Sequence, residues 1–404
     1  MRKLVTIAAA LIVASPIATH AAGFDTPILY SAQHMGMGGA AIGYVDDPSA
    51  MFHNPAGLAR SMGLSLMINA TMILGSIRSA PDSSLGEQTS EDIFAVAPLI
   101  GVSYRAADWI AFGVAFYPVA SAGAEYNYEK GGRPIFNSTS VTFLEFAPTL
   151  AFKLPGNINL GVSWRAIMVG LDRKLTDVPG FDVSMSGANL GGVRLGAQWD
   201  PIPELQLGIV YRNKTTTTIV DKAGLVLLDP KRRVETDFVL PSKLGFGARV
   251  KIEPVRFALD LEYAFQSQNR VSRYLADPPA LFPVTNVFNW QDGITLRAGV
   301  EYAVEDRFFF RGGFIYDTQV GQQKYPTAFG TPPTSSSTMT AGFGMKCGDT
   351  WKFNVAVAHR LAQTTVDRGP SGERELCLAC SFDGNYKLSM TGVYVDFMYS
   401  FADL

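Results

Sequence analysis

"VRFALDLEYAFQ", residues Val255 to Gln266, is the stretch whose period decides the fold. Val255, Phe257, Leu259, Leu261, Tyr263 and Phe265 are apolar or aromatic, and Arg256, Asp260, Glu262 and Gln266 alternate with them. A helix would put Phe257, Leu261 and Phe265 on one face but turn Leu259 and Tyr263 to the other. The period is two, sustained over about the length of a tilted strand that crosses a bilayer. The register recurs at Leu205 to Arg212, Ile294 to Tyr302, Trp351 to Ala358 and Gly392 to Phe401. Trp109, Tyr117, Tyr263, Tyr302, Trp351 and Tyr399 stand near strand ends, where an aromatic girdle is expected.

Composition narrows the class. Of 404 residues, 47% are hydrophobic and only 17% charged, below the usual quarter of a soluble domain. A formal net charge of -2 gives no electrostatic case for nucleic acid. Residues 1–21 read as a secretory signal peptide: Arg2 and Lys3 precede a short apolar run, and small residues lead to Ala21. Beyond it, no run approaches the length of a spanning helix. The breaks between strands alternate in length. Short ones read "AADW", "KLPGN", "DPIPE" and "CGDT"; long ones include residues 80–92, 121–140, 172–186, 268–293, 320–337 and 367–385. This is the pattern of periplasmic turns and external loops in an outer-membrane barrel. The expectation is an all-β, antiparallel, transmembrane barrel of about fourteen strands over residues 62–404, beginning near Leu64. It must close, because lipid cannot satisfy an open sheet edge. A soluble β-sandwich would alternate similarly, but with more surface charge and shorter strands.

Residues 22–61 have no clear period and are rich in Gly, Ala, Ser and Met. Gly36, Gly38 and Ala41 match the dinucleotide spacing G-x-G-x-x-A. The context is wrong for a nucleotide: no strand precedes the motif, and Asp46, Asp47 and Pro48 interrupt any following helix. A barrel this wide has a lumen that side chains alone cannot fill. The segment is therefore expected to plug it. Gly36, Gly38, Gly39 and Gly43 would permit close approach to the wall, and Asn54 with Pro55 would fix a tight turn against it.

Here the chain resembles the outer-membrane family that transports long-chain fatty acids and other hydrophobic compounds. The resemblance lies in "AGF" at the expected mature start, and in "DDPSAMFHNPAGLA", where Asn54, Pro55 and Ala56 match that family's hatch motif. "GVAFYPVAS" is similar to its third strand, although Val119 and Ala120 follow Pro118 where the family has Phe-Gly. "FAPTLAFKLPGNINLGVSW" is similar to its next hairpin. The resemblance implies a fourteen-stranded barrel with an N-terminal hatch, in the outer membrane. It also implies passive uptake: capture among external loops, then lateral release into the bilayer. Long-chain fatty acids are the first expected ligand, with aromatic or alkane hydrocarbons as the alternative. A structural or adhesin-like barrel is the rival of another class. The implied partners are hydrophobic small molecules, the bilayer and the barrel assembly machinery.

Individual candidates follow. Pro118, on the same strand as Gly113, cannot donate to the ladder and marks a candidate lateral opening; the alternative is a simple strand end. Leu275, Leu281, Phe282 and Val284 are candidates for a capture groove. Arg165, Arg194, Arg212, Arg297, Arg311 and Arg360 fall on the polar register and should face the lumen. They would either grip a ligand carboxylate or pair with Asp260, Glu262, Glu301 and Asp317. Cys377 and Cys380 are expected to form a loop disulfide, with a redox pair as the alternative, and Cys347 to sit in a periplasmic turn. His34, His53 and His359 are far apart in sequence, so no metal is expected, nor any cofactor. His359 falls on the apolar register without a serine beside it, which argues against a phospholipase and for no enzymatic activity. We expect the protein to fractionate with outer membranes and to migrate faster on gels unheated than boiled. Recovery as a soluble protein without that heat shift would refute the barrel.

Overall fold

The computed structural model describes residues 29–401, apart from 62, 178–180, 222–232, 278–283, 306, 349 and 369–380. The expected signal peptide lies outside the described residues. Fourteen long strands form the wall: β1 Leu64–Asp82, β2 Ile93–Ala107, β3 Ile110–Lys130, β4 Arg133–Leu154, β5 Ile158–Leu175, β6 Phe181–Ile202, β7 Leu205–Arg212, β8 Lys243–Ile252, β9 Val255–Ala264, β10 Gly293–Val304, β11 Phe308–Asp317, β12 Ser336–Cys347, β13 Trp351–Val366 and β14 Gly384–Phe401. Neighbours pair antiparallel all the way round, and β14 closes on β1 from Leu64 opposite Phe401 to Arg78 opposite Lys387. None of the described helices is long and apolar enough to cross a membrane.

Alternation in sequence becomes two surfaces. On β9, Phe257, Leu259, Leu261 and Tyr263 are exposed on the outside, while Ala258 and Asp260 are buried inside. Equivalent residues on other strands, such as Ile68, Phe112, Leu160, Leu195 and Phe246, complete an apolar outer band. Trp109, Tyr302 and Trp351 lie exposed at the short-turn end, with Trp351 packed 4.0 Å from Tyr399 between ring centres. Tyr117 departs from the expected girdle. It is fully buried, because it shares the odd-numbered, inward register with Ala111 and Ala115.

Two expected long loops are strands instead. β3 and β4 run through residues 121–140 and meet in a tight turn at Gly131 and Gly132, both at positive φ, a conformation glycine adopts freely. β5 and β6 likewise extend into residues 172–186. Along these extensions pairing continues while one face joins the buried apolar cluster through Ala122, Ala124, Tyr126, Val183 and Met185. Further short strands at this end, Thr215–Asp221, Arg233–Leu240, Val271–Asp277 and Val284–Val287, pair with one another beyond β7 and β8.

Residues 29–61 lie inside the barrel. They comprise helix α1 Ala32–Gly36, helix α2 Ala50–His53 and a 3-10 helix Pro55–Arg60. The segment circles the lumen, meeting strands in descending order at glycines on their inner face. A Cβ on Gly342 of β12 would lie 2.9 Å from the backbone of Gly36, and one on Gly313 of β11 would lie 2.1 Å from Gly38 N. Gly299 abuts Met37, Gly247 and Gly208 abut Ile42 and Gly43, Gly196 abuts Asn54, and Gly161 abuts Pro55 and Ala56. Six of these wall glycines stand opposite one another in the ladder: Gly161 with Gly196, Gly208 with Gly247, and Gly299 with Gly313. Gly39 differs from its neighbours. It is at φ 73°, and its nearest obstacle is the Leu29 side chain of the same segment rather than the wall.

A Gly313→Val change should therefore displace the hatch while leaving the wall paired, at an overpacking cost of about 1–3 kcal/mol. The variant should keep its heat-modifiable migration but lose protease resistance within residues 29–61. An unchanged cleavage pattern would show that the close contact is not needed.

Candidate functional site

The wall is incomplete between β2 and β3. Their ladder runs from the turn to Ile100 opposite Phe116 and stops. Continued two residues further, that register would set Pro98, paired with Ala70 on β1, against Pro118, paired with Leu144 on β4. Neither has an N–H, so the ladder cannot continue through them. β2 stays with β1 as far as Gly75 opposite Ile93, and β3 stays with β4. On β3 the register shifts by one at Val119, a β-bulge between Pro118 opposite Leu144 and Ala120 opposite Phe143. From Tyr117 to Ala124 every residue is buried, so this stretch has left the two-faced wall and turned inward. Glu91 N donates to Glu125 O at 2.8 Å, rejoining the strands above the break.

Gly113 lies outside this gap. It is paired on both sides, to Ser103 and Thr149, and its inner face meets Leu58 and Met51 of the hatch.

The hatch reaches the foot of the gap. Tyr30 Oη donates to the Pro118 carbonyl at 2.5 Å. Tyr30, Phe52 and Tyr117 form an aromatic triangle with ring centres 5.1 to 5.5 Å apart. Burial, with Tyr117 nearby, holds the Tyr30 phenol well above its ordinary pKa, so it remains a donor. Beside the triangle, the Glu145 carboxylate takes two arginines: Arg165 Nη2 at 2.7 Å and Arg194 Nη1 at 3.0 Å. Tyr117 Oη donates to Glu145 at 2.6 Å, and Arg194 also donates to the Met51 carbonyl of the hatch. All three charged groups are buried. Above them, Phe143, Ile167, Val169, Met185, Ile219, Phe238 and Leu240 form part of one buried apolar cluster inside the barrel.

Three further lumenal arginines pair with acids on other strands. Arg297 lies 3.3 Å from Glu262, Arg311 2.7 Å from Glu301 and Arg360 3.0 Å from Asp317. Arg212 donates to the Pro241 carbonyl at 2.8 Å. Asp260 does something else. Its carboxylate accepts from Ala41 N and Ile42 N, at 2.8 and 3.0 Å. Asp396 holds the start of α1 in the same way, through Ser31 Oγ at 2.7 Å and Gln33 N at 3.1 Å.

Asn54 is wholly buried. Its amide donates to the carbonyls of Ile42 in the hatch and of Ala197 and Ile209 in the wall, at 2.8, 3.1 and 3.3 Å, and its Oδ1 accepts from Ala56 N. Pro55 follows at the first position of the 3-10 helix, where a missing N–H costs nothing. Two histidines distant in sequence meet in the hatch: the His34 and His53 rings are 5.2 Å apart. Burial, reinforced by His34, pushes His53 down to about 3, so it stays neutral. Burial opposes the charge on Asp47, but the His34 ring and the Ser49 hydroxyl outweigh it and hold its carboxyl below the usual range.

Leu275 and Val284 fall in the short strands Val271–Asp277 and Val284–Val287, whereas Leu281 and Phe282 lie outside the described residues. So do Cys377 and Cys380. Cys347 is exposed and free at the end of β12. Sequence reasoning passed over Pro98, Glu145 and Tyr30. Pro98 carried a signal, since a proline within the apolar run "IFAVAPLIGV" is unusual for a central strand. Glu145 carried none beyond its inward parity.

Solved structures share this architecture at low sequence identity. A Pseudomonas aeruginosa FadL homologue superposes with a TM-score of 0.75 at 16% identity, covering 94% of this chain and 100% of that one. The Pseudomonas putida toluene transporter TodX gives 0.68 at 16% identity, covering 93% and 99%. The Ralstonia pickettii toluene transporter TbuX gives 0.65 at 17%, covering 94% and 99%. No curated protein matches the sequence. One family profile, described as outer membrane protein transport protein (OMPP1/FadL/TodX), matches residues 11–401. The chain therefore belongs to that family of outer-membrane transport barrels, which are channels and not enzymes.

Proposed function

We propose that this protein carries hydrophobic small molecules passively across the outer membrane, long-chain fatty acids foremost, and releases them sideways into the bilayer between β2 and β3. The observation that carries the reading is the ladder break at Pro98 and Pro118, placed directly above a lumen that the hatch fills. A hatch that fills the lumen would block a straight path to the periplasm, while the β2–β3 ladder beside it ends at Ile100 opposite Phe116. Inside, one buried apolar cluster includes Leu240 and Ala328 toward the long-loop end and Tyr117 and Val119 at the break. Each CH₂ kept out of water is worth about 0.8 kcal/mol, so an apolar route that ends in lipid runs downhill for a chain molecule.

A carboxylate-headed ligand fits better than a neutral hydrocarbon. Arg165 and Arg194 share one carboxylate, and Arg165 Nη1 is buried without a hydrogen-bond partner among the described residues. That surplus of positive charge suits an acid headgroup arriving at the foot of the gap. The aromatic triangle of Tyr30, Phe52 and Tyr117 favours the second reading, an aromatic hydrocarbon, and similar folds include toluene transporters.

A double change, Pro98→Val with Pro118→Val, restores two N–H donors on facing strands. Each ladder bond is worth about 0.5–1.5 kcal/mol. Closure should be favoured by roughly tenfold, with uptake of labelled fatty acid slowed to match in cells and the barrel still heat-modifiable. Normal uptake by a well-folded double variant would remove lateral release. Comparing oleate with toluene in the same assay separates the two ligand classes. Deleting residues 24–61 should leave a barrel that inserts and conducts ions in a planar bilayer far better than the intact chain. Equal, low conductance would mean that the hatch does not occlude the lumen.

A further inference from the structure

A cavity of about 100 Å³ lies between the hatch and strands β8 to β13 at the short-turn, periplasmic end. Arg249, Arg256, Arg311, Lys346 and Lys352 line it, against two acids, Asp46 of the hatch and Glu301 of β10. Glu301 is shared three ways: Arg311 lies 2.7 Å from one of its oxygens, and Arg249 and Arg256 lie 3.1 and 3.0 Å from the other. One carboxylate would need one guanidinium. Arg256 also reaches Glu253, which projects largely into solvent. Arg256, Arg311 and Lys346 crowd around a single ring, Phe309, at 5.8, 5.4 and 5.2 Å from its centre. Arg249 Nε is buried with no hydrogen-bond partner among the described residues. Like charges held this close repel, and five cationic side chains line the cavity against two acids.

We propose that this cavity is an oxyanion site that takes a phosphate group from the periplasmic side. Donors converge from β8, β9, β11, β12 and β13, and so approach from several directions. That suits a tetrahedral oxyanion rather than a planar carboxylate, which a single arginine fork would satisfy. The volume exceeds the roughly 10–15 Å³ that one water needs on the same measure, which leaves room for a small polyatomic anion. The site does not rest on the transport reading, since it lies on the other side of the hatch from the gap. A free phosphate and the phosphodiester of a lipid headgroup present the same chemistry.

The test uses the full chain in neutral detergent, titrated by phosphorus NMR with inorganic phosphate and, separately, with glycerophosphoglycerol, the water-soluble headgroup of phosphatidylglycerol. Saturable binding is expected that weakens with added salt. It should weaken on the order of tenfold in Lys346→Gln/Lys352→Gln, whose side chains lie at the cavity rim and leave the barrel heat-modifiable. Arg249→Gln should weaken it as well. Tighter binding of phosphate identifies a free anion as the ligand; tighter binding of the headgroup identifies a lipid. The proposal fails if neither binds saturably, or if both variants bind as the parent does.

Discussion

The rest of the structure depends on a contact between two backbones: the hatch chain lies on the inner wall without side chains between them. A fourteen-stranded barrel cannot fill its own lumen, so the hatch must, and it can do so only where the wall offers no Cβ. Glycines facing inward on successive strands supply that surface, and several stand directly opposite one another in the ladder. The hatch then contacts carbonyls and amides, which Asn54, Asp260 and Asp396 satisfy. Buried backbone groups left without such partners would each cost free energy comparable to a lost hydrogen bond. Close packing and polar satisfaction thus demand the same placement of the chain.

That placement brings the hatch to the weakest point of the wall. Tyr30 touches the carbonyl of Pro118, at the bulge where β3 turns inward. Both strands flanking the break keep their other partner, so the gap costs few hydrogen bonds beyond those the prolines already forgo. Lipid tolerates no unsatisfied edge, which makes the inward turn of β3 meaningful. Buried on all sides from Tyr117 to Ala124, this stretch hides its backbone from the bilayer.

Charge inside the barrel is organised in two ways. In the middle, arginines and acids pair across strands, as a water-poor lumen requires. At the gap and at the periplasmic mouth, the pairing is unequal. Glu145 serves two arginines and Glu301 serves three. Excess charge in both places adjoins an opening rather than the packed interior.

Period two in residues such as Phe257, Leu259 and Leu261 was legible because one face meets lipid and the other does not, and that contrast is written into every membrane strand. The strand count, the start near Leu64 and the inward parity of the arginines follow from the same contrast. The upper halves of β3 and β4 were illegible because it ends where the membrane ends. Sequence alone thus determined the barrel and its compartment. Only the tertiary structure decided that the β2–β3 ladder ends at Ile100 opposite Phe116, that Glu145 sits between Arg165 and Arg194, and that the wall glycines form a track for the hatch. Each of these depends on which strands lie side by side and in what register, which hydrogen bonds across the ladder set and no single strand's sequence records.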